Sequence, residues 1–209
     1  GKLYITTGDA TKRELVQDLN SVAGKILRLN PDGSIPSDNP FANSPVYSYG
    51  HRNPQGIAWD ENGQLWSTEH GPSGLESGHD ELNKIISGGN YGWPLFAGNE
   101  QQVSRTVDRN EYIFPEIESG NDETWAPASL TYLDGNLYFG GLRGQALYQV
   151  PLEQGTVGEL SRSFSETYGR IRTTQTFGDG ALYITTSNTD GRGFPKEDDD
   201  KIIKINNLK

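Results

Sequence analysis

The sequence predicts an all-β protein of short antiparallel strands, with a β-propeller as the favoured architecture. First, the motif G-x-L-[YW] occurs four times, beginning at residues 1, 63, 135 and 180. Second, most copies are followed by another short apolar run, such as KILRL at 25–29. Third, 26 glycines and 11 prolines supply turns between these runs. Such repeats with inserted loops are typical of propeller blades, although a β-sandwich also consists of many short strands and stays open as an alternative.

The repeat predicts four blade-like units, and together they make one partial propeller domain. We expect the first unit to lack its first strand and the fourth to lack its last. The units span about 1–50, 56–118, 127–165 and 170–206 of the domain 1–209. The expected strands include 2–6 and 25–29; 80–86; 129–133, 136–140 and 146–151; and 170–177, 181–186 and 201–206. Residues 11–20 have a helical composition, and the polar residues 97–124 predict a surface excursion.

The composition argues against several classes of protein. The net charge of −10 leaves no basic surface for nucleic acid. Cysteine is absent, which excludes disulfides and thiolate zinc sites. No run of about 18 apolar residues is present, so we expect no membrane span. The sequence opens without methionine inside a strand-like segment, and we therefore expect a piece of a longer or processed protein.

The densest chemistry lies between residues 49 and 94, which contain all three histidines. Two short strands are predicted there, joined by the turn DENG at 60–63. Arg52 precedes the first strand and offers a planar fork of donors that suits a carboxylate. Its neighbours Asn53 and Gln55 can donate and accept hydrogen bonds. From chemistry alone, an ordinary loop explains these residues equally well.

A second group follows the second predicted strand, in the sequence EHGP at 69–72. Gly71-Pro72 leaves backbone carbonyls free, because proline has no N–H and glycine allows a ligand to approach closely. With the carboxylates of Asp80 and Glu81 they are hard oxygen ligands, which calcium prefers. A solvated acidic pair is the alternative interpretation of Asp80 and Glu81, and the acidic run 197–200 is read as a solvated loop.

Motifs along the whole chain resemble the soluble PQQ-dependent glucose/sorbosone dehydrogenase family, and its aldose sugar dehydrogenase branch most closely. These motifs are GKLYITTGD, KILRLNPDGSIPSDNPF, GHRNPQG, the turn EHGP, DELNKIISGGNYGWP and GRIR, in that order. The resemblance implies a six-bladed β-propeller, of which about three and a half blades are present here. It also implies oxidation of the C1 hydroxyl of aldoses to lactones with pyrroloquinoline quinone (PQQ) and Ca²⁺. The hydride passes to the quinone and then to an external electron acceptor, in the periplasm or outside the cell.

The resemblance also assigns site residues. The cofactor carboxylates are expected at Arg52, Asn53, Arg143, Arg170 and Arg172. The calcium at the quinone is expected on the carbonyls of Gly71 and Pro72, and a structural calcium on Glu81, the Tyr91 carbonyl and Asp80. The aldose substrate is expected at His70 and Gln55.

Three departures from the family pattern accompany these assignments. The catalytic base is expected to be a histidine upstream of Gly1, which Asp9 would orient, and none of His51, His70 or His79 matches its position. Residues 74–77 read as an insertion beside the metal site. Thr173 follows GRIR where the family usually has Asp, which weakens whatever holds the second arginine.

Two other functions stay open on the sequence. If the base histidine is truly lacking, the chain is a non-catalytic propeller fragment or binding module of the same superfamily. A six-bladed lactonase would need a calcium-centred Asn/Asp/Glu cluster, and none occurs in order. A missing N-terminal segment or a second chain is expected to complete the propeller.

Overall fold

The computed structural model describes residues 1–74 and 78–206, and the fold is all-β as predicted. Four antiparallel sheets follow one another along the chain, and a small hairpin lies within the second. Among the described residues, the bounded helical elements are two 3-10 turns, Arg13–Leu15 and Arg109–Glu111. No helix in the described part of the chain is long and apolar enough to cross a membrane.

The first sheet contains β1 (Leu3–Thr7), β2 (Lys25–Leu29) and β3 (Val46–Tyr49), paired in that order. The segment 11–20, which has a helical composition, forms only the 3-10 turn at Arg13–Leu15. The Asp18 carboxylate accepts a hydrogen bond from the Asn20 N–H at 2.9 Å, and this local Asx turn competes with a continuing helix.

The second sheet is built from β4 (Pro54–Trp59), β5 (Leu65–Glu69) and β6 (Glu81–Ile85). The chain then forms the hairpin of β7 (Phe96–Ala97) and β8 (Glu100–Gln101) before β9 (Ile117–Glu118) pairs with β6. Part of the expected surface excursion 97–124 therefore belongs to the fold. Phe96 and Ala97 are buried, and β9 adds a fourth strand that the polar composition concealed.

The third sheet begins with β10 (Pro127–Leu133), β11 (Asn136–Gly141) and β12 (Leu147–Glu153). Two short strands, β13 (Thr156–Val157) and β14 (Ser161–Ser163), both pair with β12. The fourth sheet contains β15 (Ile171–Thr176), β16 (Leu182–Thr186) and β17 (Ile202–Ile205). These strands agree with the ones predicted from the sequence to within about two residues at each end, which is the usual uncertainty of strand ends.

Buried clusters lie between consecutive sheets. One cluster joins the second and third sheets and contains Trp66, Trp125 and Tyr148. Another joins the third and fourth sheets around Leu147 and Ile171, and a third lies between the first and second sheets. Each sheet thus packs on the next along the chain, which is the arrangement of propeller blades and not of a two-sheet sandwich.

Glycine allows the backbones of neighbouring sheets to touch. A Cβ at Gly56 on β4 would lie 2.6 Å from the Ser129 carbonyl carbon and 2.7 Å from the Ala128 oxygen, both on β10. Thr68 on β5 donates a hydrogen bond to the same Ala128 oxygen at 2.9 Å. The second and third sheets are therefore fixed backbone to backbone at this level.

We expect Gly56→Ala to destabilise the protein by about 1 to 3 kcal/mol, because the new methyl group meets backbone that cannot rotate away. Denaturant unfolding measures the change. Gly158→Ala is the matched control, since its Cβ would lie 3.3 Å from the nearest Pro151 atoms and should cost less. Equal stability of the two variants would contradict this account of sheet packing.

Lys25 is a fully buried cation in the first sheet. Its Nζ donates to the carbonyl oxygens of Val16 at 2.7 Å and Ala23 at 2.6 Å. The ammonium group thereby holds the loop between β1 and β2 against the sheet. Burial lowers the pKa of Lys25 to about 8 from its usual 10.5, while the charge of Asp18 raises it.

This lowered pKa has a predictable sign in stability. Between about pH 8 and 10.5 the unfolded chain holds a proton on Lys25 that the folded protein has lost, so stability rises with pH. Across this window we expect the free energy of unfolding of wild type to rise relative to that of Lys25→Met, by at most about 1.4 kcal/mol per pH unit. Unfolding at pH 7, 8, 9 and 10 measures the gain. The free energy of unfolding of Lys12→Met, a change at an exposed lysine, should depend on pH in the same way as that of wild type, apart from a constant offset.

Candidate functional site

A cavity of about 410 Å³ opens where the strands of the second, third and fourth sheets end. It brings together seven residues that the sequence singled out, although they are up to 118 positions apart (52 to 170). They are Arg52, His70, Gly71, Pro72, Asp80, Arg143 and Arg170. Ser73, Gly74, Thr124, Ala126, Leu142 and Arg192 complete the wall. Of the expected insertion, residues 75–77 lie outside the described residues.

The cavity is strongly cationic. Among the described residues of the wall, four arginines, at positions 52, 143, 170 and 192, face the one carboxylate of Asp80. The whole chain has a net charge of −10, so this concentration of positive charge is a local feature. Several guanidinium groups on different strands suit a ligand that carries more than one carboxylate or phosphate.

Asp80 lies in the cavity wall and holds two backbone segments in place. Its Oδ1 accepts the Gly71 N–H at 3.0 Å, and its Oδ2 accepts the Ala126 N–H at 2.8 Å. The side chain is buried, and burial raises the pKa of Asp80, whereas the two backbone donors oppose the rise. Asp80 therefore connects the Gly71-Pro72 turn, which follows β5 of the second sheet, to the residue just before β10 of the third sheet.

His70 presents a hydrogen-bond acceptor to the cavity. Its Nε2 lies 2.7 Å from the Pro127 carbonyl oxygen, which can only accept, so Nε2 carries the proton. Burial lowers the pKa of His70, while Asp80 raises it, and the neutral form is favoured. In that tautomer Nδ1 is the atom that can accept a proton donor, such as a hydroxyl group of a ligand.

Glu69, the last residue of β5, organises the loop that carries Arg52. Its Oε2 lies 2.8 Å from His51 Nδ1, and its Oε1 accepts the N–H groups of Arg52 and, at 3.2 Å, Asn53. His51 is fully buried, and its Nε2 lies 2.8 Å from Ser48 Oγ. His51 thus serves to hold the loop, because both ring nitrogens have protein partners.

The arginines of GRIR share one carboxylate. Arg170 Nη2 and Nε lie 2.8 and 3.1 Å from Asp190 Oδ2, and Arg172 Nη2 lies 3.6 Å from the same oxygen. The loop after β16 therefore supplies the acid that the sequence lacks at Thr173. Arg172 is not among the residues that line the cavity, although its charge acts on His70 in the cavity wall.

Three glutamates lie side by side across the second sheet. Glu69, Glu81 and Glu118 are cross-strand neighbours on β5, β6 and β9. Burial, and then the charge of Glu69, raise the pKa of Glu81 well above its usual value. The Oδ1 atom of Asn83 on the same face is buried without a hydrogen-bond partner. Adjacent carboxylates and an unpartnered amide oxygen provide oxygen ligands suited to a hard cation.

A cation there would also need backbone oxygens. Within residues 1–74 and 78–206, no group of three or more His, Cys, Asp or Glu side chains is arranged to hold a metal by itself. Tyr91, whose carbonyl the sequence proposed as a ligand, is buried with its ring stacked 4.4 Å from His51. The hydroxyl of Tyr91 donates to the Lys84 carbonyl at 2.6 Å.

The remaining sequence-predicted residues lie beside the cavity and do not form its wall. The Oδ1 atom of Asn53 accepts a hydrogen bond from Gln55 Nε2 at 3.0 Å. Asp9 is buried, and its carboxylate accepts the Trp93 indole N–H at 3.0 Å and the Thr11 N–H at 2.9 Å. Its backbone N–H donates to the Arg52 carbonyl at 2.8 Å, which connects Asp9 to the loop that carries Arg52.

A model of the glucose/sorbosone dehydrogenase family matches residues 1–196. The chain belongs to this family. The match confirms the resemblance that the motifs indicate.

Related proteins agree with this assignment. The chain is 32% identical over 216 residues to the aldose sugar dehydrogenase YliI of Escherichia coli, covering 91% of this chain and 55% of that protein. It is 43% identical over 119 residues to quinoprotein glucose dehydrogenase B of Acinetobacter calcoaceticus, covering 46% of this chain and 24% of that protein. It superposes on the PQQ-bound aldose sugar dehydrogenase of Streptomyces coelicolor with a TM-score of 0.86 and 40% identity, covering 97% of this chain and 57% of that one. The chain thus spans little more than half of the two relatives that it matches along most of its length.

Three residues that line the cavity or support its wall did not emerge from the sequence as site residues. The sequence predicts Glu69 in the turn after β5, whereas it ends the strand and is buried. Asp190 and Arg192 lie in the sequence NTDGRG at 188–193, whose Asp-Gly pair signals only a turn. Asp190 binds the side chain of Arg170, 20 positions away, and Arg192 meets the other cavity residues only in the fold, so no local pattern marks either residue.

We expect Glu69→Ala to cost about 2 to 4 kcal/mol of stability, because three donors lose a buried acceptor. Glu69→Gln should cost less, since its amide oxygen can still accept the Arg52 and Asn53 N–H groups, and His51 can change tautomer to accept the amide N–H. Denaturant unfolding of both variants measures the order. A Gln variant as unstable as the Ala variant would contradict the role of Glu69 as a backbone acceptor.

Proposed function

We propose that the complete protein is a PQQ- and calcium-dependent dehydrogenase that oxidises the C1 hydroxyl of aldose sugars to lactones. The hydride passes to the quinone and its electrons then pass to an external acceptor. The observation that carries the proposal is the cationic cavity, where three arginines expected at the cofactor meet the Gly71-Pro72 turn. It occurs in a chain that superposes on a PQQ-bound relative with a TM-score of 0.86.

The residues present fit a tricarboxylate. Arg52 and Arg143 face the cavity from the second and third sheets, and Arg170 reaches it from the fourth. Asn53 and Arg172 are assigned to the same ligand from positions beside the wall. Arg170 is already oriented, because its Nη1 donates to the Leu142 carbonyl at 3.0 Å while Asp190 holds its other nitrogens. A preoriented fork loses little entropy when it binds a carboxylate.

Calcium also fits the donor set. We assign the ion at the quinone to the carbonyl oxygens of Gly71 and Pro72, in a turn that Asp80 holds in place. A structural calcium is assigned to Glu81, the Tyr91 carbonyl and Asp80. The unpartnered Oδ1 of Asn83 and the raised pKa of Glu81 support a cation on that face. When bound, PQQ supplies a hydride acceptor and calcium polarises its reacting carbonyl.

The chain's own contribution to the sugar is to bind and orient it. His70 Nδ1 can accept a hydroxyl proton, and Gln55 is assigned to the same substrate. The proton of the C1 hydroxyl is assigned to the base histidine that the resemblance places ahead of Gly1, with Asp9 orienting it. His51 and His79 are excluded from that role, because both nitrogens of each ring already have protein partners.

The architecture proposed for the complete protein is a six-bladed propeller, of which this chain forms about three and a half blades. The four consecutive sheets support it, as does the coverage of 55% and 57% of two relatives. A further segment or a second chain would supply the remaining strands. A periplasmic or extracellular location is part of the same proposal.

The test is a titration of the metal-free complete protein with PQQ and Ca²⁺, followed by oxidation of glucose coupled to a redox dye. Saturable quinone binding with calcium-dependent dye reduction is the expected result. Quinone binding without turnover on any aldose would favour the binding-module alternative. Absence of quinone binding would overturn the proposal.

We expect His70→Ala to raise KM for the sugar about tenfold while leaving the Kd for PQQ unchanged, because it removes an acceptor that faces the substrate. His70→Gln keeps an acceptor and should stay closer to wild type. Steady-state kinetics and quinone titration separate the two constants. An equal loss of quinone affinity in both variants would instead place His70 at the cofactor.

A further inference from the structure

Arg192 is a cavity residue that the family assignments above do not include. It follows β16 in the loop 187–194 and lines the cavity with Arg52, Arg143 and Arg170. Its side chain is exposed, and among the described residues its guanidinium group has no carboxylate partner. An unpaired guanidinium at the rim of a cationic cavity remains available to an anionic ligand.

The loop that carries Arg192 is firmly anchored. Asn188 is buried, and its Oδ1 accepts the Arg170 N–H at 2.8 Å while its Nδ2 donates to the Tyr168 carbonyl at 2.9 Å. The Asn188 N–H donates to Asp200 Oδ1 at 2.6 Å. Both the start of β15 and the segment before β17 thus hold the loop, so Arg192 extends from a fixed backbone.

Asp190 connects this loop to the predicted cofactor arginine. Its Oδ2 binds Arg170, and its Oδ1 accepts the Arg192 N–H at 2.9 Å. The Arg170 guanidinium lowers the pKa of Asp190 to about 2, so the carboxylate is ionised at neutral pH. One carboxylate therefore fixes the side chain of Arg170 and the backbone of Arg192 together.

Gly193 allows the loop to pack directly on Arg170. A Cβ at Gly193 would lie 2.9 Å from Arg170 Cδ and 2.7 Å from Asn188 Cα. Only glycine avoids this overlap without moving the loop. The close approach keeps residue 192 beside the guanidinium of Arg170, with both on the cavity wall.

We propose that Arg192 binds a carboxylate of the anionic cofactor, and that Asp190 is a positioning residue that holds Arg192 and Arg170 over the cavity. The proposal rests on the proposed function, because it takes PQQ as the ligand. It adds a contact from the loop after β16, which lies against Arg170.

The test measures PQQ binding to the complete, calcium-loaded protein by equilibrium dialysis, without turnover. We expect Arg192→Ala to weaken binding about tenfold, the size of one lost charge-assisted contact. Arg192→Lys, which keeps the charge and loses the fork, should lie between Ala and wild type. Asp190→Asn should weaken binding as well, because the carboxylate that holds Arg170 and the Arg192 backbone in place is lost. Arg162→Ala is the matched control, since this exposed arginine pairs with Glu123 and is not among the residues that line the cavity.

A second ligand distinguishes a direct contact between Arg192 and the cofactor from an indirect effect of the substitution on the loop. The trimethyl ester of PQQ lacks the carboxylate charges, so wild type should bind it more weakly than PQQ. Arg192→Ala should reduce that preference about tenfold, because it removes one charge partner. An equal loss of affinity for both ligands would mean that residue 192 only maintains the loop, and would overturn the proposal.

The outcomes distinguish this inference from the function on which it rests. If wild type does not bind PQQ, the proposed function itself fails. If wild type binds PQQ and Arg192→Ala binds it equally well, the inference fails while the function stands. Thermal unfolding of each variant checks folding, and the exposed position of Arg192 favours a folded variant.

Discussion

The buried carboxylate of Asp80 is the contact on which the cavity depends. It joins the Gly71 turn of the second sheet to Ala126 at the entry of the third, through two backbone hydrogen bonds of 3.0 and 2.8 Å. A buried carboxylate with two such donors is costly to disturb, because either donor would be left unpaired in a dry environment. Gly71 and Pro72, proposed as calcium ligands, and His70, proposed as a substrate contact, lie beside this connection, so the fold and the proposed site share one constraint.

Close backbone packing makes that constraint possible. Gly56 brings β4 against β10, and Gly140 brings β11 against Ile171 of the fourth sheet. Hydroxyl groups reinforce both contacts, as where Thr131 donates to the Thr174 carbonyl at 2.6 Å. Since the sheets cannot slide past one another, the ends of their strands meet at a fixed distance. Charged side chains from three sheets then converge on one cavity, and Asp190 offsets part of the repulsion that this creates.

The sequence anticipated the site where residue type and spacing carry the chemistry. Arg52, Gly71-Pro72 and Arg170 occur in compact motifs, and the structure places all of them on the cavity wall. Glu69 and Asp190 were missed because Glu69 acts through partners 16 to 18 positions away and Asp190 holds the Arg170 side chain 20 positions away, and a single acidic residue in a turn looks solvated. The segment 11–20 shows the opposite limit, since its helical composition yields to a local Asx turn at Asp18.

The sequence by itself determined the β-class of the protein, the approximate position of most strands and the family. Alternating apolar residues and glycine-rich turns are local signals, and a local signal survives in any context. Only the tertiary structure decided which charged residues face one another. In the folded protein Asp80 connects two sheets, His51 supports the loop that carries Arg52, and Arg192 lines the cavity. These roles depend on burial and on distances between sheets, and neither quantity is encoded within a short window of the chain.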